Sequence, residues 1–164
     1  MVLYFAYGSN MSKRQMEERM NVIEGPCSDF PKGNFSIIRG GVLRGFRLTF
    51  NKIDKKWPGA GYANIVKADS AVEGIVYEID DNGKKRLDCR EGADKENRKD
   101  RQYFDEKKKI LLEEKEVEAV IYIANPDFCR EGLKPTKEYL NKLLEGKKYL
   151  SKGYFEMLKN VKTI

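Results

Sequence analysis

The chain has 164 residues, 40% hydrophobic and 11% aromatic, enough for one domain with a real core. It has no histidine and only three dispersed cysteines, which excludes Ser-His-Asp and Cys-His machinery of the usual kind and any mixed Cys/His zinc site. The net charge of +6 invites a nucleic-acid reading, but no zinc finger, aromatic RNA-binding motif or arginine-rich recognition helix accompanies it, so no nucleic-acid partner is expected.

In chain order, residues 3–7 read as a strand, an aromatic-rich apolar run that stops at Gly8-Ser9-Asn10. Ser12 with Gln15 fits a capping box and opens a short helix over 12–20. Pro26 and Pro31 flank a loop. Two strand-like runs follow at 35–38 and 46–50, broken by Gly40, Gly41 and Gly45, which read as a bulge or turn. A loop over 52–61 contains Trp57-Pro58-Gly59. Residues 62–66 and 72–79 are further strands. Asp80-Asp81-Asn82-Gly83 supplies N-caps for a helix carrying 84–90, and Gly92 suits its C′ position. Residues 94–101 are almost all charged and read as a solvated loop. The segments 103–112 and 117–124 form a hairpin around the Glu/Lys cluster at 113–116.

Pro135 opens a helix with Tyr139, Leu140, Leu143 and Leu144 on one face, and Gly146 stops it. A last helix carries Tyr154, Met157, Leu158 and Val161 at helical spacing. The C-terminal lysines fall on these amphipathic helices, whose solvated face explains them. Five or six strands without βαβ alternation argue for an α/β (α+β) domain over 1–164, built as a small mixed β-barrel or curled sheet with short flanking helices. No apolar run is long enough to span a bilayer, and no signal-peptide pattern opens the chain. A cytoplasmic protein without membrane association is expected. The sequons at Asn10 and Asn34 are then chance matches. Cys27, Cys89 and Cys129 are widely spaced and odd in number, so free thiols are expected rather than a disulfide framework.

Two places bear on chemistry. The loop Gly8-Ser9-Asn10, between a strand end and a helix start, puts backbone N–H groups where they can face a small anionic or amide-bearing ligand. From the residues alone it reads first as an ordinary strand–turn–helix corner. Without histidine, any proton transfer falls to a carboxylate, Lys, Tyr or thiolate. Glu91, at a helix end before Gly92, is one such carboxylate; its neighbours Asp88, Arg90 and Asp94 are also those of a surface Glu in a charged turn.

Tyr7-Gly8-Ser9-Asn10 behind an aromatic strand resembles the signature loop of the γ-glutamylcyclotransferase-like superfamily, which includes γ-glutamylamine cyclotransferases and AIG2-like proteins. Three further segments fall in order. Val72-Glu73-Gly74-Ile75-Val76-Tyr77 resembles its central strand, and Leu87-Asp88-Cys89-Arg90-Glu91-Gly92 its Leu-Asp-x-x-Glu-Gly segment. Pro135, Tyr139, Gly146, Tyr154 and Leu158 resemble the spacing of its C-terminal helical part. The likeness covers roughly residues 3–160. It implies a small α/β barrel with a pocket at one mouth, and an enzyme that releases 5-oxoproline from a γ-glutamyl amino acid or amine, without a cofactor or metal. It makes Glu91 the catalytic residue and Tyr7, Gly8, Ser9, Asn10, Met11, Tyr103 and Tyr154 the substrate-binding ones. A binding module of the same fold without turnover is the alternative. Two departures stand out: the 93–102 stretch is long enough to cover or reshape the mouth, and Cys89-Arg90 fits neither subfamily signature cleanly, leaving the substrate subtype open. The sequence also leaves the oligomeric state open.

Overall fold

The computed structural model describes residues 1–164. Five strands close into a barrel in the order β1-β3-β2-β4-β5. β1 (Val2–Ala6) is apolar throughout because it is a central stave, antiparallel to β3 (Gly61–Ile79) and parallel to β5 (Lys115–Ala124) through Tyr4 and Val120. β2 (Phe35–Ile53) pairs antiparallel with β3, and β4 (Tyr103–Leu112) with β5. Contact between Val42 of β2 and Leu111 of β4 shuts the barrel. In the middle of β4, Asp105, Lys107 and Lys109 face water in alternation with half-buried neighbours, while Tyr103 and Ile110 are buried towards its two ends. The hairpin, the barrel and the short helices agree with the sequence reading.

The strand count differs. The runs at 35–38 and 46–50 are one 19-residue strand, and those at 62–66 and 72–79 are another. The glycines bend β2 rather than end it. The register with β3 shifts at Ile37/Arg39, Arg44/Phe46 and Thr49/Lys52, and Gly45 takes the positive φ of 86° that the second bulge requires. Such bulges curl two long strands around a small core without breaking their ladders.

Four helices flank the barrel. α1 (Lys13–Asn21) seats Met16 and Met20 in the core. α2 (Asp81–Arg90) starts at Asp80, whose carboxylate accepts from Gly83 N at 2.8 Å. It ends at Glu91 and at Gly92, whose φ of 63° fits the expected C′ position. α3 (Lys137–Leu144) buries Leu140 and Leu143, and α4 (Lys152–Lys159) buries Tyr154 and Leu158. No helix is long and apolar enough to cross a membrane.

The expectation of three free thiols is overturned: Cys27 and Cys89 form a disulfide, and only Cys129 is free. The 62 positions between the two hide a tertiary contact. Arg86 of α2 donates to the carbonyls of Val22, Phe30 and Pro31, drawing the 22–34 loop against the helix and Cys27 onto Cys89.

Candidate active site

A cavity of about 650 Å³ opens at one mouth of the barrel. Tyr7, Gly8, Ser9, Asn10, Glu91 and Tyr103 all line it. The long 93–102 stretch does not cover it: only Gln102 reaches the lining. Arg101 Nε donates back to Lys95 O at 2.7 Å, and Arg98 lies over the Phe104 ring, which folds the segment away from the mouth.

The Gly8–Asn10 loop is held from beneath. After β1 the chain makes one 3₁₀ turn (Ser9–Met11) before α1. Met11 N donates to Gly8 O and Ser12 N to Ser9 O, while the amides of Gly8, Ser9 and Asn10 find no protein acceptor. Ser12 caps α1 as the capping-box reading requires, accepting from Gln15 N at 3.2 Å. The second half of the box differs: the Gln15 side chain reaches Ser9 Oγ at 2.7 Å and Asn10 Oδ1 at 2.9 Å. Asn10, 3% exposed, also donates to Tyr4 Oη at 2.9 Å, and its carbonyl accepts from Tyr77 Oη at 2.6 Å. Two helix residues and two barrel tyrosines thus fix three successive free N–H groups at a helix start, a favourable place for negative charge.

Glu91 sits at the C-terminus of α2, where Glu91 N donates to Leu87 O at 2.8 Å. Its Oε1 lies 3.3 Å from Arg19 Nη1, and the two side chains are 18% and 15% exposed. Burial pushes the carboxyl above its ordinary value, against the opposing pull of Arg19, Arg90 and Lys52. The surrounding tyrosines are neutral donors. Burial raises Tyr7 and Tyr103 well above the ordinary phenol and Tyr139 to about 12. Tyr7 donates to Tyr122 O, Tyr103 to Ala63 O at 3.2 Å, and Tyr139 accepts from Ala63 N at 3.0 Å. Among these groups Glu91 is the carboxylate, and a carboxyl raised by burial is a stronger base than an ordinary one.

Two predicted binding residues stand elsewhere. Met11 is buried beneath the 3₁₀ turn with its sulfur against Gly146, so it supports the loop from the α3 side. Tyr154 is buried on α4, and its hydroxyl has no partner. Ser151, the cap of α4, donates to Glu73 at mid-β3 from N and Oγ, at 2.7 and 2.6 Å, which ties that helix to the barrel wall rather than the mouth. Sequence reasoning missed Gln15 and Arg19, though their spacing of four puts both on one face of α1. No group of three or more His, Cys, Asp or Glu is gathered where it could hold a metal.

The model of the family described as "Gamma-glutamyl cyclotransferase, AIG2-like" matches residues 4–149. The chain belongs to this family. Among solved structures, one described as Gamma-glutamyl cyclotransferase is 24% identical, with a TM-score of 0.80 over 99% of this chain and 89% of that one. An uncharacterized Homo sapiens protein is also 24% identical, with a TM-score of 0.79 and the same coverage. YkqA from Bacillus subtilis is 18% identical, with a TM-score of 0.75; the likeness covers 99% of this chain but 56% of YkqA. At these identities the structures show the shared γ-glutamyl cyclotransferase-like fold. No curated protein matches the sequence.

Proposed function

We propose that the protein cyclises the γ-glutamyl group of a small substrate, releasing 5-oxoproline and the amine partner. The observation that carries this is the meeting of the free Gly8–Asn10 amides and the Glu91 carboxylate in one cavity. The reaction makes three demands. The substrate α-ammonium gives a proton to Glu91, freeing the lone pair. The amine nitrogen then attacks the γ-carbonyl, and the carbonyl oxygen takes up negative charge that N–H donors stabilise. As the C–N bond breaks, Glu91 returns the proton to the leaving nitrogen. The attacking nitrogen sheds a second proton as it becomes the lactam N–H, and that proton also passes by way of Glu91 to the released amine, which departs as an ammonium. No cofactor enters, because nucleophile and electrophile belong to one molecule and their proximity supplies much of the rate.

The residues divide the work as follows. The Gly8, Ser9 and Asn10 amides meet the glutamyl carboxylate or the developing oxyanion, and Tyr7 and Tyr103 line the pocket around the glutamyl chain. Arg19 steers the carboxylate of Glu91. Its charge also opposes the rise that burial imposes on Glu91 and so favours the ionised carboxylate that a base requires. The test is a panel of γ-glutamyl amino acids and amines incubated with the protein, with 5-oxoproline resolved by chromatography. Release from at least one compound, lost in Glu91→Gln, is expected. No release from any γ-glutamyl compound by folded protein refutes the reading.

A further inference from the structure

Lys52 has no part in the chemistry above, yet it lines the same cavity. It is 4% exposed, unusual for a lysine. Its ammonium donates to the carbonyl of its own neighbour Ile53 at 3.1 Å, while a lysine offers three protons. No carboxylate stands within ion-pair distance of it. Three rings surround it instead, those of Tyr62, Tyr103 and Phe128, with centroids 5.8, 5.7 and 5.9 Å from Nζ. The position is built by the fold. The register shift between Thr49 and Lys52 buries three consecutive residues, Phe50, Asn51 and Lys52, where an unbroken strand would turn alternate ones outward. Arg130 N donates to Asn51 O at 2.8 Å, and Asn64 Nδ2 to Asn51 Oδ1 at 2.9 Å, which hold the bulge.

A buried ammonium is costly unless a negative group meets it. Burial and nearby Lys55 draw its pKa down, while Cys129, Glu91 and Asp54 act against them. The location says which end of a substrate it meets. Lys52 stands where β2 runs into the rim segment 54–60, whose Lys55, Lys56 and Trp57 line the same cavity, Trp57 being 61% exposed. The glutamyl half brings a cationic α-ammonium to Glu91, on which Lys52 exerts the weakest pull of the three nearby cations, while the rim lysines beside Lys52 favour a negative group beyond that half. Resting on the cyclotransferase reading, we propose that Lys52 binds a carboxylate on the leaving half of the substrate and so favours γ-glutamyl amino acids over γ-glutamyl amines.

The test compares γ-glutamylglycine with γ-glutamylglycinamide, which differ only in that carboxylate. Binding is measured by calorimetry in the Glu91→Gln background, where the ligand stays intact, and turnover in the otherwise wild-type protein. The acid should bind about tenfold or more tightly than the amide. Lys52→Met should abolish that preference by weakening the acid alone, raising its KM with kcat nearly unchanged. Lys52→Gln serves as a second neutral variant if the methionine one folds poorly, and the comparison of acid with amide on Lys52 itself needs neither. Equal binding of acid and amide, a preference that survives removal of the charge, or an equal loss for both ligands overturns the proposal. Formation of 5-oxoproline is scored separately. Its absence, with the acid preference still following Lys52, removes the cyclotransferase reading and leaves Lys52 as a carboxylate site.

Discussion

Glu91→Gln keeps the size and hydrogen-bonding capacity of the side chain but removes its ability to take a proton. The structure lets the consequences be separated. Glu91 meets the solvent poorly and has one charged partner, Arg19 at 3.3 Å, so Gln retains an acceptor oxygen for that guanidinium. Folding should survive: the variant loses an attraction but also the burial penalty that raises the carboxyl. Turnover should not survive. General acid–base catalysis is typically worth about 10²- to 10⁴-fold, and here one group serves both the ammonium and the leaving nitrogen, so kcat should fall by at least about 10²-fold. The assay is 5-oxoproline release from a verified γ-glutamyl substrate, with binding of the same compound followed by calorimetry and folding by thermal denaturation. Ligand binding within a few-fold of the parent is expected. Near-normal turnover in a folded variant refutes the role of Glu91 and hands the proton to Lys52, the other buried titratable group facing the cavity whose pKa moves toward neutrality.

Because Glu91 must be ionised to act and burial raises it, the acid limb of kcat/KM should lie above the ordinary carboxylate range of about 4.3; a limb at or below that range contradicts the burial argument. Linkage gives the matching sign in stability. A carboxyl raised on folding carries a penalty only when ionised, so the penalty is absent below the unfolded pKa and complete above the folded one, and the melting temperature of Glu91→Gln relative to the parent should climb as pH rises through that window. Asn10→Ala removes contacts with Tyr4 and Gln15 in a buried place and should cost about 1–3 kcal/mol in denaturant unfolding, with turnover falling as the loop loosens. Ser9→Ala loses the contacts of its hydroxyl with Gln15 and Tyr139, should cost about 0.5–1.5 kcal/mol, and leaves the backbone amides in place; equal effects of the two variants contradict Asn10 as the holder of the loop. Thiol titration of the denatured, unreduced protein should find one free cysteine, rising to three after reduction, and with 62 positions between Cys27 and Cys89 the chain-entropy model puts the lost stability near ~4 kcal/mol.

What was legible in the sequence followed from local chemistry. Gly92 announced a helix end because only a residue at ease with positive φ fits there, and its φ is 63°. Asp80 announced a helix start because its carboxylate reaches a free amide three residues on. The hairpin of β4 and β5 was legible from alternation and a charged turn. The Tyr7–Asn10 loop and Glu91 segment were legible by resemblance, and the barrel brings both to one mouth. Long-range effects were hidden. Glycines in β2 looked like strand ends because a bulge and a break have the same local composition; the pairing with β3 on both sides of Gly45 separates them. Cys27 and Cys89 looked unrelated because nothing in their spacing reports that Arg86 gathers the 22–34 loop onto α2. Tyr154 looked like a pocket residue by position in the chain, yet the tie between Ser151 and Glu73 sets its helix against the wall. Lys52 was silent for the same reason that it is interesting. Within Asn51-Lys52-Ile53-Asp54 a lysine reads as a solvated rim charge, and the register shift after Thr49 turns it inward. Its ammonium then enters a ring of aromatics. A local pattern identifies the residues proposed to carry the general reaction, whereas the residue proposed to choose among substrates depends on a bulge that the pairing of two strands creates.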